Sequence, residues 1–221
     1  MLRFYHLRWI AVPLTLVAIA AALVLYAMFI ETTARSILKD VYALKVGESP
    51  AADVKALAER HQGAVSEYQC DSEKCRVSLQ VYNTWLHRLG LEPAARFQAV
   101  AHAKNGKVDY ISVELWRDTR AFPTSPSAGI TEEYLTPPVL YAARAPYWFP
   151  TPVGKPYLRV ALTKDATPIQ RQHAYAYSLR CLTKIGRGCD LPCDYLPVAW
   201  RDWETQIGGF GNYYAARQRC K

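Results

Sequence analysis

The stretch from Trp9 to Ile30, WIAVPLTLVAIAAALVLYAMFI, holds no charged residue in 22 positions. As a helix it spans about 33 Å, enough to cross the roughly 30 Å hydrocarbon core of a bilayer. Pro13 falls near its start, where a missing helical N–H costs little. A cleaved signal peptide is the competing reading. Its apolar core is shorter, roughly 7–15 residues, and closes on a small-x-small site. Here the run ends in YAMFIETTARS, where Thr32-Thr33-Ala34 matches such a site poorly. An uncleaved anchor is the expectation.

Orientation follows from the flanking charges. Arg3 and Arg8 precede the run and Glu31 follows it, with Arg35 and Lys39 farther on. The positive-inside rule then places the N-terminus in the cytoplasm and the body outside. The expected setting is a bacterial inner membrane, crossed once, with the body in the periplasm. Asn83, Asn105 and Asn212 form no glycosylation sequon, which fits that setting.

An oxidising compartment changes the meaning of the cysteines. There an even set reads as disulfides, and Cys70, Cys75, Cys181, Cys189, Cys193 and Cys220 make six. Cys70 and Cys75 flank the polar loop DSEK between two strand-like runs, AVSEYQ and RVSLQVY. A hairpin brings such ends within bonding distance, whereas a metal site would need two further ligands that the neighbourhood lacks. The constellation His173, Cys181, Cys189, Asp190, Cys193 and Asp194 admits three readings. As Cys189-x-x-x-Cys193 with Cys181 it could hold zinc or copper. As a redox motif its spacing is wrong by one residue. As structure it gives two disulfides, for which we expect Cys181–Cys189 and Cys193–Cys220. No metal or other cofactor is expected.

The pattern along the body is mixed. Residues 1–8 form a short cytoplasmic tail and 9–30 the membrane helix. Residues 31–116 read as helix, helix and four strands. Ile37, Leu38, Val41, Tyr42 and Leu44 continue the membrane helix as an amphipathic stripe. GESPAADVKALAERHQG supplies a helix with Ser49 as N-cap, Pro50 in its first turn and Gly63 at its end. Asn105-Gly106 marks a hairpin turn. Residues 117–155, rich in proline and aromatics, read as loop. Residues 156–221 read as a strand, a helix from Thr167 to Gly186 opened by a Thr167/Gln170 capping box, and a cysteine-rich basic tail. The expected fold class is α+β: an extracytoplasmic antiparallel sheet packed with helices and stabilised by disulfides. The segment around Gly47, Ser49, Val54 and Leu57, a capped helix leading into a strand hairpin, resembles the start of small envelope lipoproteins of the outer-membrane assembly type and of beta-lactamase-inhibitor-like domains. The resemblance implies α+β architecture. The chain departs from it in having an apolar anchor in place of a lipidated cysteine and a long C-terminal region.

No sequence motif points to catalysis. Ser36-Ile37-Leu38-Lys39 fits Ser-x-x-Lys, but lacks the Ser-Asp-Asn and Lys-Thr-Gly partners of that chemistry. GGFGN at 208–212 lacks dinucleotide-binding spacing. Charge is uneven instead. From Glu31 to Gly154 there are 14 basic and 14 acidic residues, and from Lys155 to Lys221 there are 11 and 5. Lys184, Arg187, Arg201, Arg217, Arg219 and Lys221 are the candidates for contact with an anionic lipid or polymer. Nucleic acid is not an expected partner outside the cytoplasm. The expected function is that of a single-pass structural or interaction protein of the cell envelope, with an envelope protein as partner and no catalytic activity. The alternative is a ligand- or polyanion-binding domain using the basic, aromatic C-terminal region. The short N-terminal tail cannot hold an output domain, so signalling would need a second membrane protein.

Overall fold

In a computed structural model, residues 3–118, 127–133, 140–144, 157–185 and 188–206 are described. The chain opens with helix α1 (Arg3–Ala43) and helix α2 (Ala51–Arg60). Strands β1 (Val65–Cys70) and β2 (Lys74–Tyr82), short helix α3 (Thr84–Arg88), and strands β3 (Ala95–Lys104) and β4 (Lys107–Arg117) follow. Then come β5 (Ser127–Glu133), β6 (Leu140–Arg144) and β7 (Tyr157–Thr163). Helix α4 (Pro168–Ala174), a 3-10 turn at Leu179–Leu182, α5 (Pro192–Tyr195) and α6 (Pro197–Gln206) complete it.

Seven strands form one sheet in the order β1-β2-β3-β4-β5-β7-β6. The fold is α+β, but the sheet is mixed, not wholly antiparallel: β5 and β7 run parallel. Strands β5 and β6 also arise inside 117–155, which the sequence reads as loop. The reason is visible in β5 itself, SAGITEE, whose small and acidic residues hide its period. The helix expected from Thr167 to Gly186 is shorter too. Its capping box is present, with Gln170 N–H donating to Thr167 Oγ1 and Thr167 N–H to Gln170 Oε1. Beyond Ala174, tertiary bonds take over: Tyr177 Oη donates to Val113 O at 2.7 Å and Ser178 N–H to Tyr195 O at 2.8 Å. Ser49 does not cap α2; its Oγ accepts from Lys45 N–H at 3.0 Å.

One face of the sheet carries the core. Val77 and Leu79 of β2, Phe97, Ala99 and Ala101 of β3, Ile111, Val113 and Leu115 of β4, Ile130 of β5 and Val160 of β7 alternate inward and are buried. Across this face runs α1, passing over β2 and β3. Ile30, Ala34, Ile37 and Val41 lie at helical spacing on its inner side, each no more than 2% exposed. The alanines of β3 leave room for the helix backbone. From Val12 to Ala22 every described side chain of α1 is exposed, while Leu23, Tyr26 and Ala27 are partly covered. Helix α1 is the one helix among the described residues long and apolar enough to cross a membrane, and its most apolar window is only 6% buried.

The sheet has two distinct ends. At the exit end, where the apolar part of α1 leaves the domain, Tyr82 pairs with Arg96, Ala95 with Arg117, Trp116 with Ser127 and Ser127 with Tyr157. Tyr26 marks this level, because its hydroxyl accepts from Trp85 N–H at 3.3 Å. At the far end, Asn105 and Gly106, both at positive φ, close the β3–β4 turn. There the α1–α2 connection joins β4, with Gly47 N–H donating to Val108 O at 2.7 Å and Val108 N–H to Ser49 O at 2.9 Å.

Candidate functional site

A cavity of about 370 Å³ opens at the far end, where α1 finishes. Tyr42, Lys45 and Glu48 line it from the α1 side, Glu132, Thr163 and Lys164 from β5 and β7, and Pro168 and Arg171 from α4. Arg171 organises it. Its Nε donates to both oxygens of buried Glu132 at 3.0 and 3.2 Å, and one Nη donates to Leu44 O at 2.9 Å. That last bond satisfies a carbonyl left over beyond the last turn of α1. The guanidinium also stacks over Tyr42 and Tyr175, 4.9 and 5.4 Å from their centroids. Burial disfavours the Arg171 charge, but Glu132 and the two tyrosines outweigh it and hold the group above its ordinary value. Burial likewise pushes the Tyr175 hydroxyl well up. The lining contains no histidine, cysteine or serine. What it offers a ligand is ion pairing and hydrogen bonding at a mixed-charge rim.

A second polar cluster lies at the exit end and is fully enclosed. Glu92 and Arg117 are 0% and 1% exposed. An Arg117 Nη donates to Glu92 Oε2 at 2.6 Å and to Lys184 O at 3.0 Å, and the other Nη reaches Cys181 O at 3.5 Å. Arg117 thus ties the loop after α3 to the turn after Leu182. Glu92 Oε1 and Arg117 Nε have no hydrogen-bond partner. Burial therefore outweighs the pull of Arg117 and raises the Glu92 carboxyl to about 7.

The structure joins Cys70 to Cys75 and Cys181 to Cys189. Cys193 is also in a disulfide and no described cysteine is free, so Cys181, Cys189 and Cys193 offer no thiolate to zinc or copper. Among the described residues no group of three or more His, Cys, Asp or Glu could hold a metal ion. His173 instead bonds Asp202 at 2.7 Å, and Asp194 Oδ2 accepts from the backbone N–H groups of Asp190 and Leu191. Of the basic candidates, Lys184 and Arg201 are exposed, the first after the 3-10 turn and the second on α6. Arg187, Arg217, Arg219 and Lys221 lie outside the described residues, as does Cys220.

Sequence reasoning missed Glu92, Arg117, Glu132 and Arg171. Two of these carried a signal. Arg117 continues the inward phase Val113, Leu115, and Glu132 continues the inward phase Ala128, Ile130. A charge in core phase at a strand end implies a buried partner. No protein-family model, curated protein or solved structure matches this chain.

Proposed function

We propose that this chain is a single-pass, membrane-anchored interaction protein of the bacterial cell envelope. In this reading the N-terminus is cytoplasmic and the disulfide-bonded domain faces the periplasm of the inner membrane. The observation that carries it is the continuity of α1. One helix runs from the exposed apolar segment into the core, where Ile30, Ala34, Ile37 and Val41 bury against the sheet. A linker would let the domain tumble, whereas this arrangement holds it at a fixed attitude to the anchor, which suits presenting a surface to a neighbour. Disulfides favour the oxidising side, and Arg3 and Arg8 favour a cytoplasmic N-terminus. The proposal gives the domain no catalytic role and an envelope protein as its partner.

Photo-crosslinking in intact membranes tests it. The exposed Tyr68 on edge strand β1 and Tyr110 on the sheet face turned away from α1 are suitable positions for the crosslinker. A discrete adduct with another envelope protein, competed away by excess unlabelled full-length chain, is the expected result. Lipid adducts alone at both positions would contradict it.

A further inference from the structure

The described residues of the exit end expose a concentration of apolar side chains. Among the described residues beyond the uncharged run, the exposed large apolar side chains Tyr82, Trp85, Leu89, Leu91, Tyr157 and Ile185 belong to this end, while Tyr68 and Ile169 do not. Single exposed apolar residues are ordinary on a surface, but a concentration at one end marks a contact. The α3 loop buries Leu86 and Glu92 to 1% and 0% exposure, yet leaves Trp85 at 57%, Leu89 at 57% and Leu91 at 39%. Across from it, Ile185 is 64% exposed.

We propose that the exit end is a bilayer-docking surface, with Trp85, Leu89, Leu91 and Ile185 inserted into the interfacial layer of the membrane that α1 spans. The inference rests on the single-pass reading above. The helix geometry favours it once that reading holds. The domain covers part of the uncharged run itself: Leu23, Tyr26 and Ala27 are partly buried and Ile30 fully. These positions lie on one helix face. If the bilayer stopped below them, only Trp9 to Ala22 would be left to cross it. That is about 21 Å of helix against a hydrocarbon core of about 30 Å. The membrane must therefore reach the level of Tyr26, and α3, which bonds Tyr26, sits at headgroup depth. Trp9 and Tyr26 are about 26 Å apart along the helix, close to the separation of the two aromatic belts of a membrane protein.

The polar groups at this level suit the same setting. The Arg88 guanidinium lies 5.6 Å from the Trp85 ring centroid, and exposed Lys184 adjoins Ile185. Such side chains lay their stems among apolar groups and keep the charge at the headgroups. Glu31, the acidic residue that ends the run, accepts a hydrogen bond from Thr183 Oγ1. The enclosed pair described above also gains a purpose. Arg117 holds Glu92, the neighbour of Leu91, and the carbonyl of Lys184, the neighbour of Ile185. It ties together the two backbone segments that carry these apolar tips.

Nitroxide labels on Leu89→Cys and Ile185→Cys test the proposal, with Lys104→Cys, exposed at the far end of β3, as the aqueous reference. No described cysteine is free, and the unsubstituted chain carried through the same labelling reports any thiol other than the introduced one. The full chain is reconstituted in vesicles of phosphatidylcholine and phosphatidylglycerol, and integration is read first, from resistance to carbonate extraction. Labels at 89 and 185 should then favour collision with oxygen over a water-soluble nickel chelate several-fold more than the label at 104. An integrated protein whose labels at 89 and 185 match the reference would overturn the docking surface and leave the single-pass reading standing. Labels closed to both reagents would put a protein surface there and overturn it equally. A protein that fails to integrate overturns both.

Discussion

Glu92 is a carboxyl that folding forces to choose between desolvation and an arginine. It makes one short bond to Arg117, and its second oxygen is left without a partner. Burial therefore lifts it from its ordinary 4.5 to about 7. A carboxyl raised on folding keeps, in the native state, a proton that the unfolded chain has already released. Its contribution to stability is full below the unfolded value and is lost as pH rises through the folded one. The urea midpoint should accordingly fall between about pH 5 and about pH 8 in the wild type, and Glu92→Gln should flatten that fall. A midpoint with no Glu92-dependent fall over this window, and instead a loss below about pH 4.5 that Glu92→Gln removes, would mean that Arg117 wins and Glu92 is ionised throughout. The residue scale is also where the sequence was hardest to read. Arg117 and Glu132 occupy inward phases of their strands, but their partners Glu92 and Arg171 come from a loop and a helix. No local pattern links residues so far apart along the chain.

Among the elements, most local signals are legible, although Ser49 accepts from Lys45 N–H and does not cap α2. The hairpin at Asn105-Gly106, the Thr167/Gln170 box and the extension of α1 past the apolar run are all present. Where packing overrides propensity, reading failed. Helix α4 stops at Ala174 because Tyr177 and Ser178 bond to the sheet and to Tyr195, and β5 escapes notice because its inward phase ends in Glu132. The β1–β2 hairpin gives a quantitative test at this scale. Cys70 and Cys75 face each other in register, five residues apart in sequence, and β2 is held on its other side by β3. A loop this short gains little from cross-linking, roughly 2 kcal/mol in the chain-entropy model. Replacing both with serine should lower unfolding free energy by about that much and leave the fold intact. A loss near 5 kcal/mol, at the top of the range for native disulfides, would show that the bridge organises the edge of the sheet and does more than tether it.

For the molecule as a whole, the decisive feature is that the long apolar run and the core share one helix. The apolar run was legible at once, because an uncharged stretch of that length has few other uses. What the sequence did not reveal was how far down the run the domain reaches: the partial burial of Leu23, Tyr26 and Ala27 is a tertiary event, of which the bond from Trp85 N–H to Tyr26 is one part. The account as a whole rests on α1 crossing the membrane once, with the disulfide-bonded domain on the oxidising side. The most direct test joins a reporter that is active only in an oxidising compartment to the chain after Lys221, beside a second fusion whose reporter works only in the cytoplasm. The account predicts activity from the first and silence from the second, with the protein retained in the membrane at high salt. Activity from the cytoplasmic reporter, or a salt-soluble product beginning near Arg35, would contradict it.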